Sequence, residues 1–285
     1  MPSPVRDAGP AILLLDNGSL EPAAVLSLRE IASRLAAAVG CPVEPVSLLH
    51  SSAIPAGRLR GIGAEILETL LDRRAQGGMQ RFVLVPLFFG PSRALTDYLP
   101  ERVRLLKARH AGLRVQLAPP VANADDAVDL RLAGIIEDRV RSELATTAEP
   151  PAVILVDHGS PAPAVARVRD HLAAQLRDRL GPVVRGVLAA SMERRPDPAY
   201  AFNEPLLERA WVRPGFTAGD VIVAPLFFSP GRHAGPGGDI ARICEEAERR
   251  YPGLRVHATE LIGSHPGLIP ILADRLREGL ASEPL

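Results

Sequence analysis

A chain of 285 residues, 47% hydrophobic and 4% aromatic, is long enough for one large globular domain or two of ordinary size. Its 33 basic residues balance 33 acidic ones, so no whole-molecule field draws it to nucleic acid or to an anionic membrane, and an anionic ligand must be met by local patches. Cys41 and Cys244 stand alone, without a CxxC pair or a His-rich tract, which speaks against a structural zinc site or a thiolate-held cluster and fits a reducing compartment.

The N-terminal MPSPVRDAGP is polar and proline-rich, and the AILLL that follows is too short for a signal-peptide core or a membrane span. The expected location is the cytoplasm. From there short apolar runs alternate with longer segments of helical period: strand 11–16, helix 20–39, strand 43–48, helix 58–75, strand 81–88, helix 96–109 and strand 113–118. Strands rich in Val, Ile and Leu without polar alternation are buried on both faces. Their alternation with helices implies a parallel sheet covered by helices on each side.

The second half repeats the first. ILLLDNGS (12–19) matches ILVDHGS (154–160), VLVPLFFGPSR (83–93) matches VIVAPLFFSPGR (221–232), and LRVQLAPPVANA (113–124) matches LRVHATELIGSH (254–265). The order of the matches is preserved, which points to an internal duplication. ATTAEPPA (145–152) reads as the joining segment. The expected fold class is α/β, with two tandem doubly wound parallel-sheet lobes, residues 1–146 and 147–285.

In such sheets ligands bind beyond the carboxyl ends of the strands, and the unusual residues sit there. His158 follows the first strand of the second half, Glu193 follows the second in LAASMERRPDP, and His233 follows the third in PLFFSPGRHAGPGGDI. Two imidazoles and a carboxylate on one rim can hold a first-row divalent metal or move a proton. The first half offers Asn17, His50 and Ala94 at the corresponding positions, so it is expected to be catalytically silent. Asp16 and Asp157 occur in both halves and read as turn-fixing residues, while Ser160 and Asp239 read as helix-opening residues. The glycines of GRHAGPGGDI, with no P-loop lysine nearby, read as giving flexibility beside a cleft. His265 reads as structural or capping, and His110, His171 and His257 as ordinary surface or strand residues.

These residues resemble the class II tetrapyrrole chelatases of the sirohydrochlorin type (CbiX/SirB-like), in their long tandem form. The likeness rests on the strand-HGS opening, the glutamate after the second strand and the PLFF…GxH…DI segment after the third. It implies insertion of Co²⁺ or Fe²⁺ into sirohydrochlorin, in cobalamin or sirohaem synthesis. His158 and His233 would take the incoming metal, and Glu193 would assist delivery or accept pyrrole protons. Arg194, Arg195 and Arg232, with Arg93 from the first half and Ser160 as a lesser contact, would meet the substrate's carboxylate arms. The metal is then a substrate, and no permanently bound cofactor is expected. The expected partner is the tetrapyrrole alone, the chain being a monomer or a homodimer. A non-catalytic tetrapyrrole or metal carrier derived from a chelatase is the alternative. A hydrolase or transferase on an ordinary α/β scaffold lacks support, there being no GxSxG elbow, P-loop or cysteine nucleophile.

Overall fold

The computed structural model describes residues 9–124, 129–147 and 149–285. Residues 1–8 of the proline-rich start and residue 148 of the joining segment lie outside them. Two four-stranded parallel sheets are present, with helices between successive strands, which bears out the expected α/β class. In the first, β1 (Ala11–Asp16), β2 (Val43–Ser47), β3 (Arg81–Pro86) and β4 (Arg114–Leu117) lie in the order β2-β1-β3-β4. In the second, β5 (Ala152–Asp157), β6 (Gly186–Ser191), β7 (Gly219–Pro225) and β8 (Leu254–Ala258) repeat it as β6-β5-β7-β8. All six residues of β5 are buried, as befits a central strand covered on both faces.

The helices are α1 (Pro22–Val39), α2 (Leu67–Gln76), α3 (Leu99–Arg109), α4 (Arg131–Leu144), α5 (Pro163–Leu180), α6 (Leu207–Ala210), α7 (Asp239–Arg250) and α8 (Leu268–Ala281). α1 and α5 begin with proline in the first turn, where the missing N–H costs nothing. The expected helix 58–75 is cut short: α2 starts at Leu67, because Arg60 and Gly61 take left-handed backbone and break the periodic run. Arg29 of α1 donates to the carbonyls of Leu59, Ile62 and Gly63 and so ties down the freed loop. Among the described residues no helix is long and apolar enough to cross a membrane.

The chain forms two compact units whose limits differ from the repeat boundary. One comprises residues 1–87, 94–120 and 272–285, the other residues 88–93 and 121–271. The last helix of the first repeat therefore belongs with the second sheet. There Glu137 of α4 accepts from Arg179 of α5 at 2.6 Å and from Arg141 at 2.8 Å. The 88–93 loop goes with it, stacking Phe89 on Phe228 with ring centroids 3.7 Å apart and packing Gly90 against Val165 and Val168. Conversely, the C-terminal end joins the first sheet, where Leu285 donates its N–H to Val115 and Gln116 donates to the carbonyls of Leu280 and Ser282.

Asp16, at the end of β1, has a shielded Oδ1 with no hydrogen-bond partner, and burial pushes its carboxyl up to about 6. The folded chain thus favours the protonated acid. That stabilisation is complete below the unfolded value near 3.8 and fades as pH rises through about 6. Asp16→Asn is expected to raise stability at pH 8 by about 1–3 kcal/mol, with the gain vanishing near pH 4. Denaturant midpoints of both chains at the two pH values check it.

Candidate metal centre

His158 is the first residue beyond β5, and the turn it enters is closed by a near collision. Gly159 has φ +90°, and a Cβ there would lie 1.9 Å from the carbonyl oxygen of Glu193. Only glycine fits. The amides of Met192 and Glu193 continue the β5–β6 ladder onto the carbonyls of Asp157 (2.8 Å) and His158 (3.1 Å), so ligand-bearing segments from two strands are zipped side by side. The third segment leaves β7, the neighbour of β5 on its other side. The two histidines therefore flank the point where the strand order reverses, which in this class of sheet is the ligand-binding crevice.

His158 Nε2 lies 3.6 Å from Glu193 Oε1, and the two imidazole centroids are 4.7 Å apart, edge to face. One ligand atom from each of His158, Glu193 and His233 falls within 4.8 Å of the others, the one such three-residue group of His, Cys, Asp or Glu found among the described residues. His158 Nδ1 faces the Gly159 carbonyl at 3.0 Å, an acceptor that only an N–H can meet, which leaves Nε2 with the lone pair. His233 Nδ1 lies 2.8 Å from Asp239 Oδ2, close but poorly aligned, so the nitrogen has no true hydrogen bond. Burial first, and then the neighbouring His158, hold the His233 imidazole below its ordinary value, so the neutral, metal-binding form persists to lower pH.

The side chains of His158 and Glu193 are 50% and 62% exposed, whereas His233 is 18% exposed. The arrangement is a three-donor site open on one side. A cavity of about 440 Å³ lies beside it, lined by Glu193, His233, Trp211, Arg232, Arg242 and Arg250 among others, a volume in the small-molecule range. Trp211 is 2% exposed and its indole N–H has no partner.

The remaining expected residues fall differently. Arg232 is 80% exposed and lies 3.6 Å from Asp239, free to swing over the opening. Arg194 is committed to its own loop, donating to Glu204 at 2.7 Å and to the carbonyls of Arg195, Pro196 and Asp197. Arg195 donates to the Tyr200 hydroxyl, and its guanidinium lies over that ring. Ser160 takes the amide of Ala162, the residue that caps α5, rather than capping the helix itself. The glycine segment is not a flexible flap: Gly231 and Gly238 donate within it, and the first amides of α7, those of Asp239 and Ile240, are spent on the carbonyls of Arg232 and His233. His233 is thereby held in a closed turn. His265 accepts the Gly267 amide, as a structural residue would.

In the first half the residue opposite Asn17 is Leu49, not the expected His50. Leu49 donates to the Asn17 carbonyl as Glu193 does to His158, which puts His50 one place on, level with Arg194. One extra residue before His50 in the apparent alignment hid this shift.

Two residues that reading the sequence missed support the site. Asn203, 1% exposed, clasps Ser160 through its side-chain oxygen and nitrogen, both at 3.0 Å. Asp239, read as a helix opener, also faces the His233 ring, and the spacing H-x₅-D into a helix start was the available signal.

Residues 152–279 match the CbiX family model. That segment is CbiX-like. Two solved structures from Bacillus subtilis agree in fold over 96% of both chains: SirB with Fe³⁺ (20% identity, TM-score 0.66), and the sirohydrochlorin chelatase SirB of subspecies spizizenii in complex with cobalt (18%, TM-score 0.68). DR2241 from Deinococcus radiodurans, described as similar to chelatases with two additional domains, matches 95% of this chain and 55% of its own (17%, TM-score 0.59). No curated protein matches. The CbiX-like segment holds all three donors of the centre.

Replacing Gly159 by alanine is expected to lower Co²⁺ affinity at least 10-fold, because the Glu193 backbone must retreat from the new Cβ. Gly18→Ala, which meets the Leu49 carbonyl at 1.7 Å in the first half, is expected to cost stability while leaving Co²⁺ affinity intact. Titration calorimetry alongside thermal melts separates the two. Asp239→Asn is expected to weaken Co²⁺ by about 10-fold through loss of the charge that orients His233.

Proposed function

We propose that this protein inserts a divalent metal, Co²⁺ first and Fe²⁺ next, into a sirohydrochlorin-like tetrapyrrole, in cobalamin or sirohaem formation. The observation that carries the reading is the open His158–Glu193–His233 centre at the strand-order reversal of a CbiX-like segment. The SirB structures similar in fold are described with Fe³⁺ and in complex with cobalt, which supports a transition metal as the ion handled here.

Metallation requires removing water from the ion, taking two N–H protons from the macrocycle and handing the ion to four ring nitrogens. Two neutral imidazoles and one carboxylate can replace part of the hydration shell. They leave positions vacant for the incoming nitrogens, where a closed four-ligand site would retain the ion. Glu193 is the most exposed of the three and the only one carrying negative charge, so it suits proton acceptance from the pyrrole N–H as the metal–nitrogen bonds form. Arg232, on the opening, is placed to pair with a carboxylate arm.

Anaerobic metallation of sirohydrochlorin, followed by its visible spectrum with Co²⁺ and Fe²⁺ in turn, tests the reading. The native chain is expected to exceed the enzyme-free rate, His158→Ala to return it to that rate, and Glu193→Gln to slow it on the order of 100-fold. Equal rates with and without protein would defeat the chelatase reading for that substrate. A spectral change on binding without turnover would indicate the carrier.

A further inference from the structure

Beneath the metal centre lies a charged side chain that direct ligation does not use. Arg169, on α5, is 2% exposed and among the largest fully buried side chains of the described residues. A buried guanidinium is costly unless its donors are spent, and these are. Nε and Nη2 donate to Asp170 (2.9 and 2.7 Å), Nη2 also donates to the Phe202 carbonyl (2.9 Å), and Nη1 donates to the Ser191 hydroxyl and faces Asp157 at 3.7 Å. The Ser191 hydroxyl donates in turn to Asp157 Oδ1 at 2.5 Å, and the same oxygen accepts the Gly159 amide at 3.1 Å.

The three segments joined in this way are the ones that shape the centre. Asp157 immediately precedes His158, Ser191 lies two residues before Glu193, and Phe202 precedes the Asn203 that clasps Ser160. One guanidinium thus sits where the His158 strand end, the Glu193 strand end and the 193–204 loop converge.

The first repeat supplies an internal control. Asp16 and Ser47 stand where Asp157 and Ser191 stand, paired across neighbouring strands in the same register. The residue at the Arg169 position of α1, however, is Leu28, also buried. There hydroxyls make the side-chain bridge: Ser51 donates to Ser47 at 2.9 Å and accepts the Ser19 amide at 3.1 Å. The half without metal donors also lacks the buried cation, although its backbone frame is the same.

We propose that Arg169 is a positioning residue of the metal centre, holding the His158 and Glu193 segments at ligating distance through Asp157 and Ser191. Its link to catalysis rests on the metal-insertion reading; its link to metal affinity rests only on the centre itself.

The test compares the native chain with Arg169→Leu, the first repeat's residue, and Arg169→Lys. Co²⁺ affinity is read by calorimetry, the bound ion's visible d–d spectrum reports its coordination, and thermal melts and circular dichroism report the fold. Arg169→Leu is expected to lose 10- to 100-fold in Co²⁺ affinity with an altered spectrum, and Arg169→Lys to recover part of both. If Arg169→Leu does not fold, Arg169→Leu/Asp157→Asn removes both buried charges and is read in its place. A folded leucine variant, single or double, with native affinity and spectrum overturns the proposal, as does a lysine variant no better than leucine at matched stability. A native chain that binds Co²⁺ but does not metallate sirohydrochlorin defeats the chelatase reading and leaves this comparison decisive. A native chain that binds no Co²⁺ overturns the centre and the role of Arg169 with it.

Discussion

The close approach of Gly159 to the Glu193 carbonyl is the constraint from which the centre follows. Once the β5 end passes that near another backbone, the side chain before the glycine and the side chain bearing the carbonyl must emerge together. The same approach occurs between Gly18 and Leu49, so it belongs to the frame and precedes any chemistry. A candidate donor set is then a matter of which side chains the frame receives: histidine and glutamate in one repeat, asparagine and leucine in the other.

The support beneath has diverged along with the surface. Burial pushes both carboxyls up: Arg169, Ser191 and the Gly159 amide oppose it only in part at Asp157, and Asp16, without a guanidinium, reaches about 6. A carboxylate that must orient a ligand loop needs its hydrogen bonds filled. One that only closes a turn tolerates an idle oxygen, as Asp16 shows with its unpartnered Oδ1.

The strands were legible because parallel central strands are apolar without interruption: β1 and β5 lie where the runs of Ile, Leu and Val put them. The three donors were legible because each directly follows or closely trails such a run. What stayed hidden depends on long-range contact. Asn203 reads as an unremarkable loop residue until it meets Ser160, 43 positions away. Arg169 lies on the apolar stripe of α5, with Ala166, Leu172, Ala173 and Leu176 at helical spacing, so its buried face was legible, but its partners Ser191 and Phe202 were not. The start of α2 was misjudged because two left-handed residues, Arg60 and Gly61, interrupt a pattern whose hydrophobic spacing looks continuous. His50 was misplaced because the register that sets Leu49 level with Glu193, through Ser47 and Ser191 at the strand ends, shows only in the sheet pairing.

The two compact units trade their closing pieces: residues 88–93 and α4 come from the first repeat into the second unit, and residues 272–285 return from the second repeat into the first. A gene cut at the repeat boundary would therefore yield two fragments, each missing part of its own core and carrying a stray helix. Ancestry made the repeats equivalent, and this interleaving has made them indivisible. The first repeat holds none of the three candidate donors, yet the second unit is built with its residues 88–93 and α4.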